Sequence, residues 1–248
     1  MAEYSPDPIL SPGPQGAAQD TKSALIEALM SLAAERRWED ISIADVAERA
    51  GLSLTQFRTH FVSKGAMLAE LSKRLDLIVL NSSDAALVDE PAKERLADVL
   101  LRRLDAMAPY RAGLKSIHQW ARRDPLAATA LNRVVINSMR FMLEAAHLES
   151  EGPMGALKLQ GLVLAWARIL EVWYDDQDEG LGATLAALDR ELIRGERFVG
   201  YARDLDHLAQ PLFSIFGKLI AGRPKFSRRR KDRWADEPED ESSSRMAD

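Results

Sequence analysis

Ser42-Ile43-Ala44-Asp45-Val46-Ala47-Glu48-Arg49-Ala50-Gly51-Leu52-Ser53-Leu54-Thr55-Gln56-Phe57-Arg58-Thr59-His60-Phe61-Val62-Ser63-Lys64 reads as two short helices joined by a tight turn, with a third helix starting at its end. Ser42 supplies an oxygen for the open amides of the first helix, whose residues Ile43, Val46 and Ala47 share one face. Gly51 stands where the chain must leave that helix through a left-handed conformation. Ala47, four residues earlier, is small enough for a second helix to cross closely. Ser53 and Gln56 have the spacing of a reciprocal capping box, so the second helix starts at Leu54. The whole is a helix-turn-helix, which makes double-stranded DNA the first partner to consider.

On the second helix Leu54, Phe57 and Phe61 recur at i, i+3 and i+7 and are predicted to face the core, leaving Thr55, Gln56, Arg58 and Thr59 outward as candidate base readers. Gln pairs with an adenine edge, Arg with guanine, and the Thr methyl meets thymine. Lys64, with Ser63 and His60, is expected to hold backbone phosphates, and the cap serines Ser42 and Ser53 complete the candidate DNA-binding set. A capped hairpin packed inside a helical domain would share the periodicity, but it has no need of this glycine, small residue and capping box together.

From Thr21 to Leu71 the chain resembles the DNA-binding domain of the TetR family, on Ala24-Leu25-Ile26, Ile43 to Ser53 and Phe61-Val62-Ser63-Lys64. The resemblance implies an all-helical, dimeric, ligand-responsive transcriptional repressor. The chain departs from the family pattern at two places: Arg58 stands where a phosphate-touching tyrosine is common, and Leu54 where a lysine or arginine is common. Residues 20 to 75 hold as many acidic as basic side chains, a weak electrostatic footprint for a DNA reader.

The rest of the composition narrows the class. A chain of 248 residues, 46% hydrophobic, can bury a sizeable core or carry a small domain on a larger one. Without cysteine there is no disulfide, thiolate zinc site or cysteine nucleophile. The net charge of −5 suits a small reader head on a mildly acidic larger domain. No apolar run is long enough to span a bilayer, and Met1 to Gln19 lacks signal-peptide order, so no membrane insertion and a cytoplasmic location are expected. The four histidines are scattered, with no glycine-rich phosphate loop and no serine elbow, so neither catalysis nor a cofactor is expected. Asp175, Asp176 and Asp178 with Glu171 read as a solvated helix end and not as a metal site.

Along the chain, residues 1–19, with four prolines, read as a disordered arm; 20–66 as the helix-turn-helix domain; 67–222 as a helical ligand-binding and dimerisation domain; and 223–248 as a disordered tail with basic then acidic charge. Helical periodicity runs throughout the middle, so the fold class is all-α. Met67, Leu68, Leu71, Leu75 and Ile78 form one stripe, and Leu96, Leu100, Leu104 and Met107 another, with Pro109, Pro125, Gly152-Pro153, Gly180 and Gly195 as punctuation. Leu159, Leu162, Val163, Trp166, Ile169, Leu170 and Trp173, followed by Leu181, Leu185, Leu188 and Leu192, give two regular antiparallel helices. The TetR resemblance places such a late pair at a twofold interface, with Leu159, Leu162, Trp166, Ile169, Trp173, Leu185 and Leu188 as candidate homodimer contacts; internal packing is the competing reading of the same stripe.

Trp120, Met139, Met142 and Trp166 are the candidate ligand-binding residues, in a helical region also holding Phe141, Trp173, His118, Arg122, Arg140 and His147. In a TetR-like fold they would surround a cavity for a small hydrophobic effector. A second resemblance competes. From Ala156 through Trp173-Tyr174-Asp175-Asp176-Gln177-Asp178 to Leu192 the chain is similar to the TetR-like accessory proteins of ubiquinone biosynthesis, which implies lipid binding without DNA binding.

Overall fold

Serines open three successive helices near the start of the chain, each through its side-chain oxygen. Ser42 Oγ accepts from the Asp45 amide, Ser53 Oγ from the Gln56 amide and Ser63 Oγ from the Ala66 amide, satisfying donors that the first helical turn leaves open. The structure, a computed structural model, describes residues 14–82 and 89–200. Within them run α1 (Pro14–Glu35), α2 (Ile43–Arg49), α3 (Leu54–His60), α4 (Lys64–Asn81), α5 (Ala92–Met107), α6 (Arg111–Ala121), α7 (Pro125–Ala145) and α8 (Gly152–Asp175). A ninth helix, α9, covers 182–200, and no strand occurs among the described residues. None of these helices is long and apolar enough to cross a membrane.

The turn between α2 and α3 follows the chemistry of its residues. Gly51 has φ of +68°, a conformation that costs other residues about 1–2 kcal/mol. It lets the Leu52 amide reach back to the Ala47 carbonyl at 2.9 Å and the Gly51 amide to that of Glu48 at 2.9 Å. Both α2 and α3 open with reciprocal capping boxes, Ser42 with Asp45 and Ser53 with Gln56. Val46, Ala47, Phe57 and Phe61 are buried against Leu25, Leu29 and Leu32 of α1 in one core.

Several expectations need correction. Leu54 is 56% exposed, not packed: it is the first residue of α3, and side chains on a helix lean toward its N-terminus, here away from the core. Ile78 near the end of α4 is 54% exposed, and Val79 takes the buried place. Gly195 interrupts nothing, since α9 runs through it. Pro14 opens α1 inside the stretch read as an arm; proline's fixed φ suits a first helical turn. The rest of the arm, the charged tail and residues 201–222 lie outside the described residues.

Helix α6 packs against α1, with Gly113 under the Met30 carbonyl, and its other side meets α7 and α8. Helix α4 runs from the three-helix head into the larger layer, where it packs on α5 and α7. These two helices therefore join the head to the rest of the chain. The aspartates after α8 are structural: Asp176 accepts from the Thr184 amide and hydroxyl and Asp178 from the Gly182 amide, which fixes the start of α9. Asp176 alone is buried and caps the corner, while Glu171, Asp175 and Asp178 are exposed, as a solvated helix end requires.

Candidate nucleic-acid interface and internal cavity

Thr55, Gln56, Arg58 and Thr59 are all exposed on the outer side of α3. Their side chains differ in freedom. The Gln56 carbonyl oxygen accepts from the Ser53 amide at 2.9 Å, so its amide N–H groups are what point away from the helix start. Thr59 donates its hydroxyl to the Gln56 carbonyl at 2.7 Å, which leaves its methyl outward. Arg58 makes no ion pair among the described residues, whereas other head arginines are engaged by acids. Arg49 grips Glu35 through two nitrogens at 2.8 and 2.7 Å, and with the Ser31 hydroxyl it holds the Glu35 carboxyl down to about 2. The cationic character of α3 thus rests on Arg58.

Lys64 sits differently from a phosphate clamp. Its ammonium donates to the carbonyls of Trp38 at 2.8 Å and Ile41 at 2.5 Å and lies 4.3 Å from the centre of the Trp38 ring. Burial there pushes its pKa down. It ties the start of α4 to the loop before α2. Ser42, Ser53 and Ser63 each spend a side-chain oxygen on a helix cap, and His60 is half-buried at the end of α3.

The larger layer encloses a cavity of about 330 Å³, walled by α4, α5, α6, α7 and α8. Leu71 and Leu75 of α4, Ile117 of α6, and Trp166 and Leu170 of α8 make its surface mostly apolar. The lining residues Arg122, Ala128, Asn132 and Ala167 are themselves exposed, which marks where it opens. His118 and Tyr174 line it together with ring centres 5.3 Å apart. Burial lowers the His118 pKa and raises that of Tyr174, so each side chain is held in its neutral form.

Arg103 connects this cavity to α4. It lines the wall, with its guanidinium 6.0 Å from the Trp166 ring centre, and pairs with Asp76, both being buried. Ser138 of α7 donates to the same Asp76 oxygen at 2.6 Å and Arg103 donates to Ser72 at 3.3 Å, so three helices meet on one carboxylate.

Of the four expected ligand residues, only Trp166 lines the cavity. Met139 and Met142 are fully buried in the second half of α7, whereas that helix meets the cavity through residues 128–135. Trp120 stacks on Trp38 at 5.5 Å, on the side of α6 turned to the head. The wall residues from α4, and Leu114 and Ile117 from α6, escaped the sequence reading because branched aliphatic stripes look the same whether they meet a neighbour or a void.

The stripe expected at a twofold interface lies inside the chain's own core. Leu159, Leu162, Trp166, Ile169, Trp173 and Leu188 are 0–5% exposed within a single chain, so they have no surface to offer a mate. Only Leu185, at 42%, is exposed; Leu164, outside the expected set, is 60% exposed on the opposite face of α8.

No family model and no curated relative matches the chain. Solved structures do. A TetR transcriptional regulator from Nitrosomonas europaea is 23% identical over 71% of this chain and 97% of its own, with a TM-score of 0.58. A second from Rhodococcus is 19% identical over 71% and 96%, at 0.51. A TetR-family regulator from Streptomyces coelicolor is 16% identical over 82% and 95%, at 0.53. At these identities the likeness is one of fold: the chain is built as TetR-family regulators are.

Proposed function

We propose that the protein is a DNA-binding transcriptional regulator, acting as a homodimeric repressor that a small ligand releases from its operator. One observation carries the reading: a doubly capped helix-turn-helix presents Thr55, Gln56, Arg58 and Thr59 outward, and α4, which leaves that head, and α6, which packs on its α1, wall the cavity. The fold shared with regulators of the TetR family supports it. The reader residues then enter the major groove, and ligand release requires a ligand that binds the DNA-incompetent arrangement more tightly, by about 1.4 kcal/mol per tenfold loss of operator affinity.

The dimer in this reading uses the outer face of α8 and α9, where exposed Leu164 and Leu185 are joined by exposed Ala167, Ala183 and Ala186. Such a twofold pairing would present two heads to half-sites about 34–36 Å apart. The test is selection of bound sequences from a random duplex pool at about 100 mM salt, where nonspecific phosphate contacts are weakened. A palindrome is expected. A folded dimer that enriches no sequence would refute the reading and favour the lipid-binding accessory class.

A further inference from the structure

We infer that the cavity takes an uncharged, largely apolar molecule bearing one hydroxyl or carbonyl group, and that Tyr174 and His118 hold that group. This deepens the reading of the cavity as an effector site by assigning the ligand's charge and its polar anchor.

Charge is decided by what lines the wall. No aspartate or glutamate is among the lining residues, so a cation would enter without a counter-ion. The nearby carboxylates are committed, Asp76 to Arg103 and Ser138 and Glu171 to Arg122. An anion fares no better. Arg103 is already neutralised by Asp76, both being buried, and an anion competing for it would strand a buried carboxylate. Arg122 stands at the exposed rim, 2.9 Å from Glu171, where its charge is shared with an acid and with water. At about 330 Å³ the space lies at the small end of the range for ligand sites, so a ligand must leave most of its water outside.

Polarity is decided by what is left unmet. Tyr174 as a whole is 7% exposed, and its hydroxyl has no hydrogen-bond partner among the described residues. His118 Nε2 is buried and also unpartnered. A buried nitrogen is seldom left so; the Tyr174 hydroxyl, which keeps accessible surface, lies on the neighbouring ring in the wall of the same cavity, and the remaining buried unpartnered donor of the wall, Arg103 Nε, belongs to a guanidinium already paired with Asp76. A neutral phenol and a neutral imidazole together offer both a donor and an acceptor, which a hydroxyl or carbonyl satisfies without bringing charge. The Leu71, Leu75, Ile117 and Trp166 surface receives the remainder.

The experiment uses the full chain without DNA and three probes with the same ten-carbon tail: 1-decanol, decanoate and decylammonium, by calorimetry and tryptophan fluorescence at neutral pH. Decanol is expected to bind with a Kd about tenfold or more below either ion. Tyr174→Phe should weaken decanol by roughly 3- to 10-fold, the worth of one hydrogen bond, while leaving the thermal midpoint unchanged, because the hydroxyl has no partner among the described residues. Leu75→Trp, which fills the cavity, should abolish binding. Equal or tighter binding of an ion, no binding of any probe to the folded chain, or a Tyr174→Phe variant with full decanol affinity would each overturn the inference. Because DNA is absent, failure here is separate from failure to select an operator.

Discussion

Gly113 gives the sharpest test of the junction between head and cavity layer. A Cβ built on it would lie 2.7 Å from the Met30 carbonyl oxygen and 2.8 Å from the Met30 methyl, against an ordinary contact of 3.4 Å or more. The methyl can swing away. The carbonyl belongs to the backbone of α1, where Leu29 and Ala33 are completely buried on either side, so α1 and α6 must separate by roughly half an ångström. Overpacking of this kind costs about 1–3 kcal/mol, with a rigid backbone atom favouring the upper half, while alanine regains about 0.8–1 kcal/mol of helix propensity. Gly113→Ala should therefore destabilise by roughly 1–2 kcal/mol, read as a lower urea midpoint at unchanged slope. Gly195→Ala is the control: nothing lies within 4 Å of its Cβ, and it should stabilise by up to about 1 kcal/mol. If Gly113→Ala were as stable as the parent or more so, α1 and α6 would not approach this closely and the junction described here would be wrong.

Five further outcomes follow from the same geometry. Asp76→Ala strands the buried Arg103 cation and should cost about 3–5 kcal/mol in urea unfolding. Lys64→Met should cost stability, about 1–3 kcal/mol for two carbonyls losing a charged donor, with the salt slope of DNA binding unaltered, whereas Arg58→Ala should lower that slope by about 1 and leave stability alone. Burial lowers the His118 pKa from 6.5, so on acidification the unfolded chain takes the proton first; the contribution is complete above 6.5 and is lost as pH falls from there toward the folded pKa, a step His118→Gln should lack in midpoints measured against pH. In the proposed homodimer, Leu164→Glu with Leu185→Glu, both surface changes, should halve the particle mass by light scattering while retaining helical circular dichroism; an intact dimer would place the interface elsewhere.

How far the sequence could be read depended on the range of the physics. Ser53, Gln56 and Gly51 act on atoms three to five residues away, so the caps and the turn were legible at once. Leu54 was misjudged because periodicity assigns a face but not the lean of a side chain in a helix's first turn. Lys64 is expected on phosphate because its neighbours suggest it, while its acceptors, the Trp38 and Ile41 carbonyls, are 26 and 23 residues upstream. The α8 stripe was correctly seen as buried, but its owner was not visible: the same spacing serves a partner helix or the chain's own α6 and α7. For the ligand site, methionine and tryptophan content drew attention to Met139 and Met142, which fill the core, and away from the leucines of α4.

A ligand in this cavity would press on surfaces that already hold the head. Helix α6 offers Leu114, Ile117 and His118 to the cavity and, from its other sides, Gly113 to α1 and Trp120 to Trp38. Helix α4 offers Leu71 and Leu75 to the cavity, Asp76 to Arg103 and, at its start, Lys64 to the loop before α2. Neither contact set is soft: the glycine admits no extra methylene, and the carboxylate is shared by three helices. Close-packed, charge-neutralised junctions move as units between discrete arrangements, so in the proposed regulation a displacement of either wall would carry the helix-turn-helix with it. The proposed regulation therefore needs no contact between ligand and head, only a ligand whose preferred cavity shape differs from the one described here.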